Sequence, residues 1–322
     1  MGLKHSGHET RVPPITAVIC MAGPREASPQ GIHIVGNRRA FMEVWFTQHA
    51  GQHHFCQQDA LLVAGGVHQS RDLPVCSLPV DEDNFLVAVA DGVSGSPAAH
   101  RASTVILELL SSAVADQPDW LEGGLIGGRL IRAISESFRE RFARGRTYGA
   151  STTLAALHVR DGRACVLNSG DSRVYRIRST DGGQAVWRLL SKDHTILNEM
   201  RAASIVQEMR EDDCPSIYRG LAHCIIADPE EDNVRVHSTR IDVMAGDIFL
   251  LMTDGVHDVL GDEGLIAGYD PTIRMSAQVA AWREAVFAAG TVDNLTLVAG
   301  QIPFSTAVAR KSSREFINHE NT

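Results

Sequence analysis

Asn84-Phe-Leu-Val-Ala-Val-Ala-Asp-Gly-Val-Ser-Gly95 sets an unbroken apolar run against an acid and a glycine. A run of strand length with no polar face reads as a strand covered on both sides. It ends on a carboxylate, Asp91, beside a residue with no side chain. On its C-terminal side, residues 97–115 place Val105, Ile106, Leu109 and Leu110 on one stripe, and residues 120–143 do the same with Leu125, Leu130, Ile131, Ile134 and Phe138. The spacing predicts two amphipathic helices, an antiparallel pair packed on a sheet. On its N-terminal side, Phe41-Met-Glu-Val-Trp-Phe46 reads as another strand. Residues 65–83, with Pro74, Pro79 and several acids, read as an exposed connection.

Beyond the second helix, apolar segments at 150–159, 163–168, 173–178 and 185–190 are separated by Asp161-Gly162 and Asp181-Gly-Gly183. Such short links predict a meander of antiparallel strands. A helix over 195–210, strands over 234–241 and 247–252, a helix over 271–289 and a strand over 294–302 complete the order. Strands and helices in this arrangement make an α+β protein with helices outside the sheets.

With 322 residues, 44% hydrophobic and 21% charged, the chain has the balance of a globular domain with one large core. Its net charge of −9 argues against binding nucleic-acid backbones, where affinity comes from clustered Lys and Arg. Ile15–Ala22 is apolar but too short to span a bilayer. Cys20, Cys56, Cys76, Cys165, Cys214 and Cys224 form no Cys-x-x-Cys pair and no zinc spacing, which suits reduced thiols in the cytoplasm.

Four aspartates stand where apolar strands begin or end. They are Asp59 before Ala60-Leu-Leu-Val63, Asp91, Asp254 after Ile248-Phe-Leu-Leu-Met-Thr253, and Asp293 before Asn294-Leu-Thr-Leu-Val298. Asp171 lies between two strands in Ser169-Gly-Asp-Ser-Arg173. Carboxylates gathered at the mouth of a buried sheet are desolvated and repel one another, so they take up protons unless cations neutralise them. Mg2+ and Mn2+ prefer oxygen ligands and need only a few carboxylates, because they keep several waters. Taken singly, each aspartate is more often a turn or cap residue. The glycines in Asp91-Gly92, Asp254-Gly255 and Gly170-Asp171 shift that balance, since they let a carbonyl or a ligand approach the carboxylate closely.

Gln57-Gln-Asp59, Val89-Ala-Asp-Gly-Val-Ser-Gly95, Gly149-Ala-Ser-Thr-Thr153, Gly170-Asp-Ser-Arg173, Lys192-Asp-His-Thr195, Thr253-Asp-Gly-Val-His-Asp258 and Asp293-Asn-Leu-Thr296 follow one another in that order. Each alone is weak, Asp-Gly pairs being common turns. Together they resemble the ordered motifs of the protein phosphatase 2C family, most of all its compact bacterial members, over residues 41–302. The resemblance implies a four-layer αββα sandwich, with two central antiparallel sheets flanked by pairs of helices. It divides the chain into an N-terminal extension (1–40), a catalytic domain (41–302) and a C-terminal tail (303–322).

By the same resemblance, Asp91 bridges two Mn2+ or Mg2+ ions, the Gly92 carbonyl completes one sphere, and Asp254 and Asp293 hold the first ion. Asp59 serves the second, directly or through water, and Asp171 with Asp254 binds a third, weaker ion. The bland alternative for Asp171 is a β-turn aspartate paired with Arg173. The implied activity is hydrolysis of phosphoserine and phosphothreonine by a metal-bridging water, with no phosphoenzyme. Implied partners are phosphorylated proteins and a Ser/Thr kinase, with the phosphatase acting as a monomer.

Departures from the family pattern are informative. His54 occupies the place of a phosphate-gripping arginine; it either binds phosphate, best when protonated, or is an exposed histidine without that role. Gln58 stands where a glutamate is usual and adds no charge to the second metal site. Val93 replaces the histidine that serves some eukaryotic members as a general acid. His194 and His257 read as structural residues. Two rivals remain at this point: an inactive phosphatase-fold regulatory module, motivated by His54 and Gln58, and a hydrolase of small phosphoesters.

Overall fold

A computed structural model describes residues 40–52, 56–116, 126–180, 182–206, 216–231 and 234–304. In chain order the elements are β1 (Phe41–His49), β2 (Ala60–Val63), β3 (Gly66–His68), β4 (Asp72–Asp81), β5 (Asn84–Ala90), α1 (Ala99–Asp116), α2 (Ile126–Phe142), β6 (Ser151–Thr152), β7 (Leu154–Arg160), β8 (Arg163–Ser169), β9 (Arg173–Ser179), β10 (Ala185–Leu189), α3 (Ile196–Ala202), α4 (Ser216–Arg219), β11 (Ile225–Ile226), β12 (His237–Asp242), β13 (Ile248–Met252), α5 (Asp254–Ala267), α6 (Met275–Ala288) and β14 (Leu295–Gln301).

Two six-stranded antiparallel sheets carry the fold, in the orders β10-β9-β13-β14-β1-β4 and β12-β8-β7-β5-β2-β3. Successive side chains on a strand face opposite ways. Val87 and Val89 therefore enter the core between the sheets, with Phe46, Leu61, Leu157, Phe249 and Leu251. Ala88 and Ala90 on the same strand face α1 and α2, where Ile106, Leu110, Ile131 and Phe138 pack. On the other outer face, Leu250, Met252 and Leu297 meet Val256, Leu265 and Trp282 of α5 and α6. Both faces of each central strand are covered, so the strands read as continuous apolar runs. The result is the expected four layers, helix pair, sheet, sheet, helix pair.

Four local expectations need correction. Residues 65–83 are not an exposed connection: they form β3 and the ten-residue β4. Pro74 and Pro79 are tolerated there because β4 is an edge strand, with one neighbour to bond. The meander is also interrupted. β7 and β8 pair in one sheet, whereas β9 and β10 belong to the other, so the chain changes sheets at 170–172. Finally, α5 begins at Asp254 itself, where no helix was expected. Gly255, Gly261 and Gly264 dilute its pattern, and at Gly261 the backbone leaves helical geometry (φ 63°, ψ 172°). The helix expected over 195–210 is shorter than that, ending at Ala202 ahead of a left-handed Ser204. Ile15–Ala22, His54 and 305–322 lie outside the described residues. Among the described residues no helix is long and apolar enough to cross a membrane.

Strand register brings the acids of each sheet to one end of that sheet, and the hydrogen bond from Thr253 to Asp59 joins the two sets. Ala60 pairs with Ala90, so the start of β2, after Asp59, lies beside the end of β5, before Asp91. Met252 pairs with Leu297 and with Arg173. The end of β13 (Asp254) therefore neighbours the starts of β14 (Asp293) and β9 (Asp171).

Candidate metal centre

Asp59 is fully buried, and its Oδ2 accepts hydrogen bonds from Thr253 Oγ1 at 2.8 Å and Thr296 Oγ1 at 2.9 Å. Gln48 Nε2 backs this clamp by donating to Thr296 Oγ1 at 3.1 Å. Two strands of one sheet thus orient an acid carried by the other. Asp91 is fixed through its backbone: its N–H donates to Thr153 Oγ1 at 2.9 Å, and its carbonyl accepts from Thr153 N and Thr152 Oγ1, each at 2.8 Å. Thr153 Oγ1 also meets Ser172 Oγ at 2.8 Å, joining the Asp91 loop to the crossover that holds Asp171.

Asp254 is the first residue of α5, where the helix dipole favours a negative charge. The loop before β14 lies so close that a Cβ on Gly255 would collide with the Asn294 carbonyl; likewise, a Cβ on Gly92 would strike the Ala99 carbonyl. Asp293 Oδ1 accepts from Asn294 N at 2.7 Å. The Asn294 side chain accepts from Gln58 N at 2.5 Å and donates to the Ala50 carbonyl at 2.7 Å, bracing three segments. Gln58 Oε1 accepts from Ser94 Oγ at 2.9 Å.

The electrostatics are those of crowded, desolvated acids. Burial first, and then the charge of Asp254, push Asp59 up to about 8. Burial, then Asp254, Asp59 and Asp171, hold Asp91 well above the usual carboxylate range. Asp171 is raised to about 7 by burial and Asp254, and Asp254 to about 6 by burial and Asp293. Asp59 Oδ1, Asp171 Oδ1 and Asp254 Oδ1 are buried without a hydrogen-bond partner. Oxygen-only donors, mutual repulsion and unpartnered buried oxygens fit hard divalent cations. Among the described residues, however, no three His, Cys, Asp or Glu side chains already stand in the spacing of a metal shell. Ions held here would draw the remaining ligands from water and backbone carbonyls.

Arg173 pairs with Asp193 (Nη2–Oδ2 2.6 Å) and Asp262 (Nη1–Oδ1 3.2 Å). His194 is structural, as expected: its Nδ1 accepts from Gly170 N at 3.1 Å, and burial, then His223, pull its pKa down to about 4. His257 Nε2 donates to the Asp171 carbonyl at 3.2 Å. Residues that sequence reading missed are the positioning ones, Thr153, Thr253, Thr296 and Asn294. Their signal was position: each lies within two residues of a strand-end aspartate, in sequence or across a strand pair.

The family model described as protein phosphatase 2C matches residues 64–288. The chain belongs to the protein phosphatase 2C family. Among its relatives in the family is the serine/threonine phosphatase stp of Listeria monocytogenes serotype 4b, 27% identical over 203 residues, covering 61% of this chain and 72% of the relative. The crystal structure of the serine/threonine phosphatase Stp1 from Staphylococcus aureus superposes with a TM-score of 0.64 at 19% identity, covering 85% of this chain and 99% of the other. The catalytic domain of the phosphatase PstP, solved in complex with 2 manganese ions, gives a TM-score of 0.56 at 23% identity over 81% and 99% of the two chains. These likenesses establish the protein phosphatase 2C fold.

Proposed function

We propose that this protein is a serine/threonine protein phosphatase that hydrolyses phosphoserine and phosphothreonine using Mn2+ or Mg2+. The observation that carries the reading is the convergence of Asp59, Asp91, Asp171, Asp254 and Asp293 at one end of the two sheets, with unpartnered oxygens on three of them. Asp91, the Gly92 carbonyl, Asp254 and Asp293 would hold two ions with Asp59 in support, and Asp171 with Asp254 a third, weaker one. Bound there, the ions supply Lewis acidity that activates water and neutralises phosphoryl oxygens.

The chain's own part is placement. The threonine clamp holds Asp59 Oδ2 and leaves Oδ1 buried and unpartnered, and the bonds from the Thr152 hydroxyl and the Thr153 backbone keep Asp91 at the sheet mouth. His54 is proposed to grip the substrate phosphate in place of arginine. Residues 41–302 form the catalytic unit, acting as a monomer in the cytoplasm on phosphoproteins modified by a Ser/Thr kinase. The described cysteines Cys56, Cys76, Cys165 and Cys224 are free thiols, which suits a reducing compartment.

Purified protein assayed on a phosphothreonine peptide, with and without Mn2+, tests the reading. Metal-dependent release of phosphate supports it. No turnover on any phosphoester points to a regulatory module, and turnover of small phosphomonoesters alone points to another hydrolase.

A further inference from the structure

Ser103 is the polar member of the buried stripe of α1, in line with Ala99, Ala102, Ile106, Leu107 and Leu110. Serine is a poorer helix former than alanine, and a buried hydroxyl is costly unless it bonds. The usual outlet for a helical serine is a carbonyl one turn back, and the His100 carbonyl lies 3.2 Å from Ser103 Oγ. A hydroxyl has a single hydrogen, however, and the closer acceptor is the carbonyl of Gln58, outside the helix. Gln69, the residue after β3, closes the arrangement. Its Nε2 donates to Ser103 Oγ at 3.2 Å, to the His100 carbonyl at 2.9 Å and to the Asp59 carbonyl at 3.2 Å.

These bonds fall on backbone that carries part of the metal centre. The Gln58 carbonyl also accepts from Gly92 N at 3.1 Å, and Gly92 itself lies against the Ala99 carbonyl with no room for a Cβ. The Gln58-Asp59 peptide and Gly92 therefore rest together on the first turn of α1. The opposite sheet adds Asn294 Oδ1 on Gln58 N at 2.5 Å and Gln48 Nε2 on the Asp59 carbonyl at 3.4 Å, but the Gln58 carbonyl and the seat of Gly92 are set from α1. Asp254 and Asp293 rest elsewhere: Asp254 opens α5, and Asp293 precedes Asn294, whose carbonyl packs on Gly255. Asp91, between the two groups, is bonded to Thr152 and Thr153.

On the metal-dependent reading above, we infer that Ser103 and Gln69 are positioning residues for the ion that Asp59 and the Gly92 carbonyl would serve. The first turn of α1 thereby sets the affinity of this ion and not that of the ion held by Asp254 and Asp293. Both side chains act through backbone: they fix the Gln58-Asp59 peptide against Gly92, and a metal site tolerates misplacement of only about 0.5 Å.

The test titrates Mn2+ into the EDTA-stripped full chain by calorimetry, with melting temperature in EDTA as the measure of folding. Ser103→Ala removes one oxygen and supplies the better helix former, and Gln69→Leu keeps much of the shape without the donor. In each variant one Mn2+ step is expected to weaken about tenfold while the other stays as in the wild type. Spin resonance should follow the same split, the coupled pair of ions in the wild type giving way to isolated ions. Thr104→Ala is the control. Its hydroxyl bonds the His100 carbonyl at 3.1 Å within the helix, and its loss is expected to leave both steps unchanged. Both steps unchanged in Ser103→Ala and Gln69→Leu, whatever their melting temperatures, would overturn the inference and leave the metal reading intact. Equal weakening of the two steps, or the same loss in Thr104→Ala, would do likewise. A wild type that binds no Mn2+ would overturn the metal reading itself, and the inference with it.

Discussion

Thr253 donates its hydroxyl to Asp59 Oδ2 at 2.8 Å across 194 residues of sequence. The residue next to one strand-end acid thereby orients another, on the opposite sheet, and joins the two halves of the cluster. Thr253→Val keeps the shape and removes the donor. It is expected to fold and to bind Mn2+ about tenfold more weakly at the site Asp59 serves, the usual cost of losing an outer-shell partner. Isothermal titration of the variant checks this; unchanged affinity would mean the clamp is structural only.

Crowding of buried acids predicts an inversion of stability effects. In EDTA, Asp91→Asn removes an acid held well above the usual carboxylate range by burial and by Asp254, so the variant is expected to melt above the wild type at pH 8. With Mn2+ present the order reverses, because the wild type gains metal-binding free energy that the variant lacks. Melting curves under both conditions decide the matter, and a variant less stable in both would show that Asp91 has a purely structural role.

The pH dependence of the metal-free protein has a definite sign. Asp59 and Asp171 have native pKa values of about 8 and 7 against 3.8 unfolded, so the native state binds more protons in between. Their contribution to stability is fully present below 3.8 and is lost as pH rises through the native values. His158 and His194, each lowered to about 4 mainly by burial, act oppositely but only below 6.5. The telling window is therefore pH 6.5 to 8, where His257, shifted upward, acts in the same direction as the two aspartates; melting temperature in EDTA should fall with pH and the stabilisation by Mn2+ should grow. A flat profile in EDTA would contradict the crowding.

Gly255 packs against the Asn294 carbonyl with no room for a methyl group. The obstacle is backbone on both sides, so Gly255→Ala is expected to cost about 3 kcal/mol or more. A fall of several degrees in melting temperature, with Mn2+ affinity reduced in parallel, is the predicted outcome. An unaffected variant would show that the two loops separate freely.

How much of this was legible beforehand depended on whether a local pattern matched its physical cause. β5 and β13 were readable because both faces of each are covered, leaving unbroken apolar runs. β4 was not, since Pro74 and Pro79 resemble loop residues unless the strand is known to lie at an edge. α5 was hidden by its glycines, two of which serve site packing and a kink rather than helix propensity. The switch of sheets at Gly170-Asp171 could not be read from periodicity, because β8 and β9 alternate alike whichever sheet they join. The acids were visible by their place at strand ends, whereas the threonines orienting Asp59 became visible only once the two sheets packed face to face, setting the ends of β13 and β14 against the start of β2.

Metal occupancy tests the central claim most directly. Wild-type protein stripped with EDTA and titrated with Mn2+ under calorimetric and spin-resonance detection should bind about two ions per chain with appreciable affinity, while Asp91→Asn should lose both and still fold. Equal Mn2+ binding by wild type and Asp91→Asn, or none by either, would contradict the account.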